Sequence, residues 1–440
     1  MTFSIANLIF LAVMIIAVGW FTRNTGRIRR NINLGRPEDR SDRKPERWAV
    51  MARVALGQSK MMMRPVAGVM HILIYLGFVI INIEILEIII DGLFGTHRLF
   101  AFLGGFYDFL IASFEILALL VLVACVVFIL RRWVMRIVRF HGYEMTHGPQ
   151  RDAAIILVTE ILLMLAFLNW NAADQVLAQR GVEQYITAGA FPISAWFRGL
   201  YASASDGQLI FFERFFWWFH ILGILGFMNY LVVSKHLHII LAFPNVFYSK
   251  LRPRTQMQNM DRVTEEVKLM MDPSLPPPPL PDPNAPPDRF GAKDVFDLSW
   301  KSLMDGYSCT ECGRCSSECP ATITGKLLSP RKIVMNTRDR LEEVGRNIDK
   351  NGSFQDDGRD LHSWISAEEL WACTTCNACT MACPVNIDPV HIILEMRRFL
   401  VMEQSSTRPA LTNMFNNVEN NGAPWAYGPA ERLKWTEGEG

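Results

Sequence analysis

Five apolar runs constrain this chain more than any other feature. They cover approximately residues 3 to 21, 66 to 90, 107 to 130, 153 to 170 and 211 to 241. At 1.5 Å of rise per residue, each is long enough as a helix to cross a hydrocarbon core of roughly 30 Å. The first run lacks a charged start and a small-residue cleavage site, and arginines follow it directly. It therefore reads as a retained span and not as a signal peptide. Residues 1–250 are dominated by these runs, whereas 251–440 are polar and hold eight of the nine cysteines. We expect an all-α chain with a five-span domain at 1–250, a proline-rich linker at 251–290, a small helical domain at 291–404 and a tail at 405–440.

Orientation follows from the Lys and Arg in the connections, because positive loops stay in the cytoplasm. Residues 22–65 hold twelve and 131–152 hold five, against one in 91–106 and two in 171–210. The amino terminus is thus expected outside a bacterial inner membrane, with everything beyond 241 cytoplasmic. In the long outer loop, Trp196, Phe197 and Leu200 share one helical side and suit a short interfacial helix. A net charge of +1 gives no footprint for nucleic acid. The stretch 272–288 holds nine prolines in seventeen residues; it keeps neither helix nor ladder and is expected to extend. Beyond it, Ser329 with Pro330, and Ser366 with Glu369, mark helix starts.

Cys309, Cys312, Cys315 and Cys319 stand as C-x2-C-x2-C-x3-C followed by Pro320. Cys373, Cys376, Cys379 and Cys383 repeat the pattern before Pro384. This is the bacterial two-cluster ferredoxin spacing, in which the fourth cysteine of each run serves the other cluster. The expected ligand sets for two [4Fe-4S] clusters are therefore Cys309, Cys312, Cys315 with Cys383, and Cys373, Cys376, Cys379 with Cys319. A pair of zinc sites would need neither the third closely spaced cysteine nor the proline. Cys125, inside the third run, reads as a small buried hydrophobe.

Ionisable groups within a bilayer are costly and mark function. His71 lies at the cytoplasmic end of the second run, and His220 and His238 lie on the fifth. Eighteen residues is five full turns of a continuous helix, so His220 and His238 would share a face about 27 Å apart. His71 and His238 are expected to hold one haem b, with His71 and His220 as the other pairing and His236 as a substitute for His238. A second haem requires a partner for His220 in the outer half, and Ile81 occupies the corresponding place ten residues beyond His71. His97, His141 and His147 fall in loops and are expected to be solvated. Glu84 and Glu115 lie toward the outer leaflet, where a quinol hands a proton to a carboxylate or, alternatively, where helices hydrogen-bond to each other.

The five spans and the His220 to His238 spacing resemble the gamma subunit of respiratory nitrate reductase, a five-span cytochrome b. "RPVAGVMH" with "SKHLHI…PNVF" is similar to membrane iron-sulfur oxidoreductases related to heterodisulfide reductase. "CTECGRCSSECPATITGKLLSPRKIV" through "LWACTTCNACTMACPVNIDP" is similar to the small iron-sulfur subunit of heterodisulfide reductase. Together the resemblances cover roughly residues 50–395. They imply a cytochrome b module reacting with quinone and two cubanes serving a separate cytoplasmic partner, a C-C-G iron-sulfur protein or a flavoprotein. Only the cytoplasmic-side histidine of the nitrate reductase pair on the second span has a counterpart here, His71, and no adjacent cysteine pair for a catalytic cluster exists. The reading is an electron-transfer subunit of a quinone-linked complex; the alternatives are an anchor of another respiratory complex and a non-catalytic membrane iron-sulfur scaffold.

Overall fold

The computed structural model describes residues 4–253, 255–276 and 289–438. Among them no strand forms, and a single bridge joins Arg36 to Ser299. Five long helices are apolar enough to cross a membrane. They are α1 (Ile5–Ile32), α2 (Pro65–Phe94), α3 (Gly105–Ile129, extended by a π turn to Val134), α4 (His147–Gln179) and α5 (Asp206–Val232). Their ends carry identifiable stops and starts. Pro65 opens α2 where its missing N–H costs nothing, and Gly95 closes it in the left-handed region at φ 67°. A capping box of Ser205 and Gln208 opens α5.

Neighbours in the bundle follow chain order: α2 packs along α3, α3 along α4 and α4 along α5, and α1 lies against α2 and α5. The core between them is built from Phe10, Ile111, Phe114, Phe167 and Ile221, each nearly inaccessible. Side chains such as Ile15 and Trp20 stay more than half exposed on the outside of α1, the expected state of a surface solvated by lipid tails.

The fifth run departs from expectation. Instead of one helix through residue 241, α5 stops at Val232, a turn of 3-10 helix covers Lys235–Leu237, and α6 (His238–Phe247) begins. Ser234 causes the break, because its side chain accepts from the His236 N–H at 3.2 Å and caps the new turn. His220 and His238 therefore do not share one helix face.

The cysteine-bearing part packs against the end of the bundle where α2 begins and α5 ends. Its core is formed by α7 (Trp300–Ser308), α8 (Pro330–Asn351) and α9 (Pro389–Met402). Ser329 accepts from the Lys332 N–H, and Ser366 and Glu369 form the capping box at Ala367–Ala372. α1 runs beyond the apolar run into this part, burying Ile28 and Ile32 with Leu298, Leu303 and Leu341. Asn31 Nδ2 donates to Tyr307 Oη at 2.9 Å. Arg36 N donates to Leu298 O at 2.7 Å, and Trp300 N to Arg36 O at 3.1 Å. A Cβ at Gly35 would meet Trp300 N at 2.7 Å, so only glycine allows this approach.

Residues 277–288, which include most of the proline stretch, lie outside the described residues. Just before it, a helix forms over Asp261–Met271 within the expected linker, and the tail holds another over Pro409–Asn421. In the loop before α5, Trp196 and Leu200 point outward while Phe197 packs against the bundle core.

Candidate functional site

The two cysteine runs fold into the same loop. Cys309 follows the end of α7 and accepts from the Glu311 N–H, and Cys373 accepts from the Thr375 N–H, both at 3.4 Å. Positive φ recurs at matching places: Glu311 (55°) with Thr375 (54°), and Gly313 (71°) with Asn377 (59°). These left-handed residues turn successive N–H groups and sulfurs toward one point. Glycine stands at 313 because a Cβ there would meet Arg331 Nη1 at 2.5 Å and Arg139 O at 2.9 Å.

Cys309, Cys312, Cys315 and Cys383 line one cavity, with Arg314 and Arg331. Cys319 belongs with the other run, as its sulfur acts electrostatically on Cys373 and Cys379. The structure thus brings together the residues of each expected set across the two runs. Burial, and next the facing Cys312, pushes the Cys383 thiol up to about 11. Burial pushes Cys379 up to about 12, with Cys373 adding to it. Crowded thiols that oppose one another's ionisation are the donor set a thiolate-bound iron cluster stabilises by its own positive charge. Cys376 is exposed, while Cys309, Cys319, Cys379 and Cys383 are buried.

At the adjoining end of the bundle three imidazoles gather. The rings of His71 and His238 have centroids 6.3 Å apart, and His236 lies 5.7 Å from His238. A metal held by two imidazole nitrogens at about 2 Å each sets ring centres about 6 Å apart, so the His71–His238 spacing fits. The His238 Nδ1 is bound to Lys235 O at 3.0 Å, which leaves Nε2 free to ligate. The Nδ1 atoms of His71 and His236 are buried without a hydrogen-bond partner among the described residues. Burial pushes His236 down to about 3, with His238 and then His71 adding to it. It is neutral at pH 7. His220 lies elsewhere: its Nδ1 meets Leu163 O on α4 at 3.0 Å and its ring lies 5.7 Å from Phe167. The structure brings His71 together with His238, and not with His220.

The remaining sequence candidates separate. Glu84 is 2% exposed, and neither carboxylate oxygen has a hydrogen-bond partner among the described residues. Glu115 is saturated: it accepts from Ile193 N at 2.8 Å, Ser194 N at 3.0 Å, Asn171 Nδ2 and Ser194 Oγ. It ties the loop before α5 to α3. Cys125 is fully buried, as expected. His97 is not solvated; its Nε2 meets Asp174 at 2.9 Å beside a buried ion pair of Asp174 with Arg98. Arg98 and Asp174 are invisible to a reading by apolarity, because the fourth run ends near residue 170 while α4 continues to Gln179.

Two arginines near the first cysteine set also escape sequence reasoning. Arg314 donates to Lys60 O at 2.9 Å and Met61 O at 3.5 Å, just before α2, and Arg139 Nε has no hydrogen-bond partner among the described residues. Their signal is present only in the fold, since the C-x2-C spacing says nothing of its neighbours.

A family model for a 4Fe-4S dicluster domain matches residues 308–387. "Probable iron-sulfur-binding oxidoreductase FadF" of Bacillus subtilis is 28% identical across 99% of this chain and 61% of its own length. "EtfAB:quinone oxidoreductase" of Syntrophomonas wolfei is 25% identical across 89% of the chain and 54% of its own length. A component of the ferredoxin/F420H2-dependent CoB-CoM heterodisulfide reductase of Methanosarcina acetivorans is 34% identical over 26% of the chain and 56% of its own length. The chain thus spans only about 61% and 54% of the two long relatives. No solved structure matches it. The chain thus joins five helices long and apolar enough to cross a membrane to a 4Fe-4S dicluster domain, and its homologues are iron-sulfur oxidoreductases and small iron-sulfur components of heterodisulfide reductase.

Proposed function

We propose that the chain relays electrons between the quinone pool, a haem b held by His71 and His238, and two [4Fe-4S] clusters held by the two cysteine sets, to or from a separate catalytic partner. When bound, the haem and clusters supply one-electron steps; the chain supplies ligands, spacing and electrostatics. The observation that carries the reading is the junction at the end of the bundle. Arg314 lines the cavity of Cys309, Cys312, Cys315 and Cys383 and is hydrogen-bonded to the residues that lead into the helix of His71. The imidazole pair and the first cysteine set thus share one connected piece of structure. Glu84 supports a quinol site toward the opposite end, where its buried carboxyl has no hydrogen-bond partner among the described residues and is available to a quinol hydroxyl, whereas Glu115 is engaged in anchoring.

The reading includes a domain division at 1–250, 251–290, 291–404 and 405–440 and an inner-membrane orientation with the clusters in the cytoplasm. The partner is a flavoprotein or a C-C-G iron-sulfur protein. The test is reduction by quinol. Full-length protein in detergent, given a quinol, should show reduced b-type haem absorption, and Glu84→Gln should slow that reduction at least tenfold while Glu115→Gln folds poorly. Wild-type haem that a quinol leaves oxidised would remove the quinone from the reading.

A further inference from the structure

We propose that Arg314 and Arg139 raise the reduction potential of the cluster at Cys309, Cys312, Cys315 and Cys383 above that of the cluster at Cys319, Cys373, Cys376 and Cys379. The first cluster is then the station beside His71 and His238, and the second is the station that meets the partner. This rests on the reading of both cysteine sets as cubane ligands.

Arg314 is 5% exposed and donates to the carbonyls of Lys60 and Met61 and to the Met61 sulfur; among the described residues no carboxylate pairs with it. Arg139 is half-buried, lies over the Phe140 ring at 4.8 Å and likewise has no carboxylate partner among the described residues. Burying a cation without an anion is costly. Both guanidinium groups act on Cys312, and Arg314 also acts on Cys383. A four-thiolate cubane is an anion whose charge grows on reduction, so it is the missing counter-charge, and these cations favour its reduced form. Lys60 adds to them, donating from Nζ to the Cys383 carbonyl at 2.8 Å. Of the other charges here, Arg331 is paired with Glu144, and Glu311, near Cys309, is paired with Lys235 and Arg338.

The second set lacks this excess. Arg397 faces Cys373 and stacks on Trp371 at 5.0 Å, while Asp388 faces Cys379 and offsets it. Water at the exposed Cys376 acts in the opposite direction by hydrating the reduced cluster. Fixed charges without a paired carboxylate act more strongly in a site of low effective dielectric than in water, and on this ground the first cluster is assigned the higher potential. The same exposure gives a partner protein access to this second cluster.

An EPR-monitored redox titration of the full-length, cluster-loaded protein in detergent tests the proposal. Two separate reduction steps are expected. Arg314→Gln should lower the upper step and leave the lower one in place, Arg314→Lys should move it less, and Arg397→Gln should lower only the lower step. Should Arg314→Gln lose its cluster, Arg139→Gln, on a different element, carries the same expectation. A single step for both clusters, a shift confined to the lower step in Arg314→Gln, or an equal shift in Arg314→Lys would overturn it. Absence of b-type haem would refute the relay through the membrane but leave both steps readable, so the two accounts fail separately.

Discussion

For a single cysteine, the difference between a ligand and a buried hydrophobe is its company. Cys125 sits in the bundle core, whereas the other eight lie in loops and short helical turns that converge. That difference is legible in the spacing, because three cysteines two residues apart leave the chain little choice but to wrap a common point. The crossing of Cys319 and Cys383 between runs has a direct consequence. Cys383→Ser and Cys309→Ser should disturb the same EPR signal, and Cys319→Ser should disturb the signal lost in Cys373→Ser. If Cys383→Ser instead matched Cys373→Ser, each run would serve its own cluster. Other residue roles were not legible. Glu84 and Glu115 look equivalent in sequence, and only the fold shows one saturated by Ile193, Ser194 and Asn171 and the other without a donor. Likewise His97 reads as a loop residue until α4 extends far enough to bring Asp174 to it.

Among the elements, four of the five spanning helices follow their apolar runs and exceed them, because polar ends of α1 and α4 continue as helix outside the apolar stretch. The fifth does not, since Ser234 accepting from the His236 N–H is a local competitor that a hydropathy window averages away. The break has a functional result: it frees His238 from the α5 face of His220 and places it against His71. The attachment of the cysteine-bearing part was legible only as a linker followed by a domain. What holds it is non-local, through Arg36, Asn31 and the glycines at 35 and 345, where a Cβ at Gly345 would meet Asn31 Nδ2 at 2.4 Å. Gly35→Val should therefore destabilise the protein by about 1–3 kcal/mol through overpacking, read as a lowered thermal midpoint in detergent. Gly26→Ala, with nothing within 4 Å, should leave that midpoint unchanged or raised. Equal midpoints in Gly35→Val and the parent would mean that the bridge of Arg36 and Ser299 does not constrain the docking.

The whole molecule joins two kinds of solvent. One half buries its polar atoms within helices and exposes Ile15, Trp20 and similar side chains; the other keeps a conventional core of α7, α8 and α9. Their junction is densely charged, with Arg331 on Glu144 and Lys235 on Glu311 crossing it. Electron transfer between fixed cofactors depends on such a junction, because a loose tether would leave the distance between them undefined. The central claim is that the imidazole pair at this junction and the cysteine sets beside it hold redox groups in one chain. Dithionite-reduced minus oxidised absorption of the purified chain, with iron quantified in the same sample, tests it most directly. A b-type α band that disappears in His71→Ala is expected, alongside about eight non-haem irons per chain in both proteins, since each cubane holds four. Eight irons with no α band in the parent protein would contradict it at the membrane step.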